Sequence, residues 1–201
     1  NSKDRMTGIS WYQSTSLFTG NRLTVGLDYM RFGGEAWNRF ITDRHKENIS
    51  DKSENEIAGY VDFRQAIGSH LTIDAGIRAD HHTVSGTEWI PQVGLSVQLP
   101  HNASLKAMAS KGFRNPTIRE LYMFRPANPD LLPERLWNYE LSYSQRLFDQ
   151  TFYYGVNLFY INGDNMIQTI RTDGRPLNVN TGKIENWGAE ASIAYHIHPT
   201  W

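Results

Sequence analysis

The side chains best suited to chemistry are gathered in one stretch, GFRNPTIRELYMFRPANPDLLPERLWNYELSYSQRL, running from Gly112 to Leu147. Arg114, Arg119, Arg125 and Arg135 carry planar guanidinium forks that match carboxylates or phosphates bidentately. Tyr122 and Phe124 add flat faces on which a ligand can stack. Asp80-His81-His82 offers metal-ligating groups, but neighbours in a strand point to opposite faces, so the histidine pair chelates poorly. His196 and His198 share a face at a turn, where a surface role explains them. Two carboxylates can meet from any two strands as an acid–base pair, a possibility that sequence leaves open. No GxSxG, HExxH, GxGxxG or P-loop pattern occurs. The expectation is a protein that is not an enzyme, with no metal site and no cofactor.

Composition narrows the classes. The 201 residues carry 20 Lys and Arg against 21 Asp and Glu, and no basic stripe suggests nucleic acid. There is no cysteine, which removes disulfides and thiolate metal sites. No apolar run approaches the roughly 18 residues of a membrane-spanning helix. That leaves open a transmembrane β-barrel, whose strands are apolar on alternate residues only. The first residues, NSKDRMTGIS, contain no apolar signal core, and the chain does not begin with Met. The expectation is an excerpt of a longer protein.

The elements that would position the Gly112–Leu147 stretch read as strands, because the dominant periodicity is two. Leu71, Ile73, Ala75, Ile77 and Ala79 alternate with Thr72, Asp74, Gly76, Arg78 and Asp80. Val93 to Leu99, Trp137 to Tyr143 and Trp187 to Tyr195 alternate in the same way. About nine strands are expected, at 5–18, 22–32, 54–66, 70–82, 89–99, 103–113, 136–147, 152–162 and 184–197. Several reach the 9–11 residues that a tilted membrane strand needs.

Connections alternate in length. Short turns fall at Thr19-Gly20-Asn21, Gly68-Ser69, Pro100-His101-Asn102 and Asp149-Gln150, and longer segments at 33–53, 83–88, 114–135 and 163–183. An antiparallel up-and-down meander with all its short turns at one end produces this rhythm, as outer-membrane barrels do. Trp89, Trp137 and Trp187 each open a strand descending from a long segment, which suits an interfacial aromatic girdle. The opposite faces carry Asp74, Arg78, Asp80, Glu140, Arg146 and Glu190, costly in a dry core but at home in a wet or plugged lumen. Periodicity alone also allows a sandwich with those charges facing solvent; strand length favours the membrane.

The stretch resembles the TonB-dependent receptors of Gram-negative outer membranes. The resemblance rests on GFRNPTIRELY, then NPDLLPE, then NYELSYS, and continues through FYINGDNMIQTI and NVNTGKIENWGAEASIAY. It implies an all-β segment, 1–201, of a transmembrane barrel of about 22 strands, without the plug or the terminal strands. It implies a receptor that takes up a scarce ligand, siderophore, cobalamin, haem or glycan, by TonB-energised gated translocation. The implied partners are outer-membrane lipid, the small-molecule ligand, and the TonB complex acting through the plug region. The alternatives are a passive porin-like channel or a soluble all-β binding module.

Within the stretch, Pro116, Pro126, Pro129 and Pro133 fix φ and remove backbone donors. Asn128-Pro129-Asp130 is a turn signal. The resembling positions Arg114, Asn115, Pro116, Glu120, Leu121, Asn128, Pro129, Leu131, Pro133 and Glu134 are expected to be structural, with Arg114, Arg119 and Glu120 pairing against the wall or the plug. Tyr122, Phe124 and Arg125 are the expected ligand contacts. The 33–53 segment is polar with few apolar anchors; mobility and a ligand-mouth role for Trp37 and Phe40 both remain open.

Overall fold

The computed structural model describes residues 1–41, 45–123 and 126–197. They form one nine-stranded antiparallel sheet in strict sequence order, β1 to β9, each strand pairing with the next. The strands are β1 Ser2–Thr15, β2 Asn21–Arg39, β3 Lys46–Ile67, β4 Leu71–His82, β5 Gly86–Leu99, β6 Ala103–Arg114, β7 Glu134–Leu147, β8 Phe152–Thr172 and β9 Arg175–Tyr195. Among the described residues there is no second sheet to pack against, so the sandwich alternative falls away. The sheet is an open meander, not a closed barrel.

The short turns all lie at one end and are made where the backbone turns left-handed. Gly20 adopts φ 78, and a side chain there would place a Cβ 2.4 Å from the Ala66 carbonyl oxygen. His101, Asn102, Phe148, Asp149 and Gln150 adopt positive φ in the equivalent turns.

At the other end the structure corrects two expected loops. β2 pairs with β3 from Asn21↔Gln65 out to Arg39↔Lys46, and β8 pairs with β9 out to Thr172↔Arg175. The segments 33–53 and 163–183 are therefore tall hairpin extensions. The reason is backbone pairing: a polar strand with no core to face still satisfies its N–H and C=O groups across the ladder. At about 3.3 Å per residue, the 21 residues of β8 run far past the 9–11 needed to cross a bilayer. The 83–88 segment shrinks to a tight turn that feeds β5 from Gly86. Trp37 carries the Lys46 ammonium 4.5 Å above its ring, within the β2–β3 ladder.

Register assigns the two faces. The row Trp11–Leu27–Gly59–Ala79–Trp89 lies on one face, and the next row, Ser10–Asp28–Ala58–Asp80–Glu88, on the other. Large apolar side chains of the first face project outward, including Ile193 and Trp187, which is 76% exposed. Trp137, Tyr139 and Tyr160 form a continuous aromatic track there, with ring centroids 6.0 and 6.1 Å apart. Such a surface suits lipid. The tryptophans do not open their strands, as the sequence pattern suggested. β5, β7 and β9 start at Gly86, Glu134 and Arg175, so each tryptophan sits inside its strand. They mark the level at which the strands leave the apolar band.

The second face carries charge, and several of its groups are paired. Arg78 binds Asp28 and reaches Asp80 at 3.0 Å, while its guanidinium lies 5.7 Å from the Tyr60 ring. Tyr60 in turn lies over Gly26, where a Cβ would come within 2.2 Å of the ring. Arg64 reaches Asp74 at 2.6 Å.

Candidate functional site

The residues between β6 and β7 fold back across the charged face at its outer end. They do so because the chain cannot pair there: four prolines in the nineteen residues 115–133 remove donors from any ladder. What replaces the ladder is a set of side-chain clasps. Thr117 and Glu120 cap the start of a π-helical turn, Arg119–Met123. The Glu120 carboxylate accepts the Thr117 N–H at 2.8 Å, and the Thr117 hydroxyl accepts the Glu120 N–H at 3.2 Å. This is the reciprocal T-x-x-E capping box. Arg114, the last residue of β6, joins both ends of the segment. Its Nη1 and Nη2 donate to Glu120 at 2.9 and 3.0 Å, and its Nε donates to Glu134 at 2.7 Å.

These groups lie beyond the tryptophan level, outside the apolar band. Burial raises the Glu120 carboxyl, but the hydrogen bonds from Arg114 and Thr117 outweigh it and hold the group below the ordinary carboxylate range. The Arg114 hydrogen bond likewise lowers Glu134, against its burial. Arg114 is raised by its bonds to Glu134 and Glu120.

The segment has a small core of its own. Leu121 is 0% and Leu131 2% exposed, and Pro116 and Pro133 are also buried. Asn128 accepts the Asp130 N–H at 3.2 Å, closing the expected turn around Pro129. On one flank the segment is fastened to β3: Asn115 donates to Glu56 at 3.1 Å and the Tyr122 hydroxyl to Glu54 at 3.3 Å. On the other flank it meets β9: Asn128 donates to the Asn178 carbonyl at 2.8 Å. The result is a crossbar between the two tall hairpins. A recess of about 400 Å³ opens between Thr117–Arg119 and the outer ends of β1 and β2, floored by Phe32 and Gly34. A second, of about 420 Å³, lies over Glu56, Arg78 and Asp80 beside Asn115.

The structure thus brings Arg114, Asn115, Pro116, Glu120, Leu121, Asn128, Leu131, Pro133 and Glu134 into one folded unit. Arg135 is engaged by Glu88, which also holds Lys111 at 2.9 Å. Tyr122 is half-buried, with the Lys52 ammonium 5.3 Å over its ring. Burial and the nearby Glu54 carboxylate push its hydroxyl pKa up. Phe124 and Arg125 lie outside the described residues, as does His198. Asp80 and His82 share the charged face, and His81 points the other way to Thr87. The His82 Nδ1 accepts the N–H groups of Val84 and Ser85, and its ring stacks on Phe32 at 5.5 Å. Among the described residues, no group of three or more His, Asp or Glu side chains is arranged to hold a metal ion.

Sequence reasoning missed the flanking anchors, Glu54 and Glu56 on β3 and Asn178 and Asn180 on β9. Their one signal is i, i+2 spacing, which puts each pair on a single strand face.

A lipid-facing meander with a paired charged interior face and an irregular crossbar at its outer end defines the wall of an outer-membrane β-barrel. The TonB dependent receptor-like, beta-barrel family matches residues 1–201, and the chain belongs to that family. It is 28% identical over 142 residues to the vitamin B12 transporter BtuB of Photobacterium profundum, across 71% of this chain and 22% of that protein. The chain therefore spans about a fifth of that relative's length. The siderophore receptor PirA of Pseudomonas aeruginosa superposes with a TM-score of 0.83 at 20% identity, over 98% of this chain and 38% of that one. A ferric enterobactin receptor mutant of the same organism, solved in complex with enterobactin, gives 0.80 at 17%, over 94% and 33%.

Proposed function

We propose that this chain is part of the barrel wall of a receptor that imports a metal chelate, of the ferric siderophore or cobalamin class, across the outer membrane. The observation that carries the reading is the crossbar, an ordered segment fastened across the charged face at its outer end. A capture site needs stiff elements over its mouth, and the crossbar supplies one. The relatives' names, a vitamin B12 transporter and siderophore receptors, support this class of cargo. The charged face lines the path, and a plug region outside this chain closes it until the TonB complex acts. Tyr122, Phe124 and Arg125 serve as the outer contacts for ligand. The work is binding and gated release, with no covalent step asked of these residues.

The test uses the full-length receptor in an iron-starved Gram-negative host. Uptake of radioiron-labelled siderophore, or of labelled cyanocobalamin, is expected to be saturable and to stop when TonB is deleted. Linear uptake indifferent to TonB would establish the porin-like channel instead.

A further inference from the structure

The β9 side of the crossbar is built from two asparagines, and their geometry is unusual for strand residues. Asn180 Oδ1 accepts the Leu132 N–H at 2.8 Å, while its Nδ2 donates to the Leu132 carbonyl at 2.9 Å. One side-chain amide thus satisfies both backbone groups of one residue, as a neighbouring strand would. The same Nδ2 donates to the Asn165 carbonyl at 2.8 Å. That carbonyl is available because the β8–β9 ladder is irregular between Gly163 and Ile167, with Asn165 at φ 59. The irregularity also turns the Ile167 N–H to Glu134, at the foot of β7, at 2.8 Å.

Asn178 is 3% exposed, and its Nδ2 donates to the Glu120 carbonyl at 3.0 Å. Glu120 belongs to the helical turn that carries Tyr122. The Asn178 Oδ1 accepts the Thr169 hydroxyl at 2.7 Å. None of these amide bonds is needed to pair β8 with β9, whose ladder continues outward through Ile170↔Leu177 to Thr172↔Arg175.

We infer that Asn178 and Asn180 are positioning residues for ligand capture: they fix the crossbar over the charged face, so that the place where Tyr122 meets ligand is set from β9. The inference rests on the receptor reading above. Without the two amides, the segment would keep only the Asn128 bond to the Asn178 carbonyl on its β9 flank.

The test compares the full-length receptor with N180D and N128A variants in lipid nanodiscs. Aspartate keeps the shape of Asn180 and its acceptor but loses the donor to Leu132 and Asn165. N128A removes the segment's own bond to the Asn178 carbonyl, together with the Asp130 turn bond, and leaves the wall intact. Amide hydrogen exchange over 128–133 is expected to rise about tenfold in both, given the loss of one to two hydrogen bonds. Affinity for ferric enterobactin is expected to fall by a similar factor, with the thermal midpoint of the barrel unchanged. Unchanged exchange in both variants overturns the inference. So does faster exchange with unchanged affinity, or a lowered midpoint that accounts for both losses. If the wild type binds no ferric enterobactin, the siderophore assignment fails, and the same affinity comparison with cyanocobalamin decides the asparagines.

Discussion

Three outer segments, 33–53, 114–135 and 163–183, look alike in composition, yet two of them became strands and one became a folded crossbar. The hairpin extensions keep their backbone donors. Between them they hold a single proline, Pro176, which sits next to the last ladder pair at the tip of β9. Pairing then extends as far as the two chains stay adjacent. The central segment, with Pro116, Pro126, Pro129 and Pro133, cannot extend its ladder and instead satisfies its groups through side chains. The lesson is that polarity did not decide between loop and strand; the supply of backbone donors did.

Four measurements on the full-length receptor would break or sharpen that contrast. The largest effect is expected at Leu121. Leu121→Ala should cost the crossbar about 2–4 kcal/mol, the usual range for emptying a fully buried leucine site. Hydrogen exchange should accelerate across 116–133 and stay unchanged in the hairpins. Spread of the effect into β2–β3 would show that the crossbar is not a separate unit.

Next comes Arg114→Met, which leaves Glu120 and Glu134 without their cation. A local loss of about 1–3 kcal/mol is expected, discounted because the arginine is partly exposed. Proteolysis within 115–133 would report it. Equal cleavage in both proteins would mean the clasp is ornamental.

Acid should act on the crossbar before the hairpins. Both clasp glutamates titrate below their ordinary value of 4.5 in the folded state. Their contribution is therefore complete above that value and is lost as pH falls through the lowered folded pKa values. Exchange in 116–133, corrected for its intrinsic rate, should rise below about pH 4.5 while the hairpin extensions hold. Simultaneous loss of both would contradict the assignment.

The smallest effect belongs to Tyr122→Phe. The bond to Glu54 is 3.3 Å long, so its loss should cost about 0.5–1 kcal/mol locally. A much larger change in ligand affinity than in exchange would mark Tyr122 as a direct contact.

Strand number and order were legible in the sequence, and so was the face of each cleanly alternating strand; the strands expected at 5–18 and 54–66 alternate less cleanly, and only the register assigned their faces. A period of two over Leu71–Ala79 or Trp187–Tyr195 fixes which side chains share a face, whatever the partner strand. The capping box of Thr117 and Glu120 lies in local spacing as well, as a T-x-x-E pattern. The outer bounds of β2, β3, β8 and β9 were not legible, since those residues alternate no apolar group toward a core. Glu54, Glu56, Asn178 and Asn180 were hidden for a related reason.

What the sequence determined by itself was everything carried by neighbours along the chain: alternation, turn chemistry at Gly20 and His101-Asn102, and proline's exclusion from a ladder. Only the tertiary structure decided which distant strands would hold the crossbar. Asn178 lies 58 residues from the Glu120 carbonyl it binds, and Tyr122 lies 68 from Glu54. Contacts over such separations depend on how far each hairpin rises and where the β8–β9 ladder is irregular, and no local pattern encodes that sum.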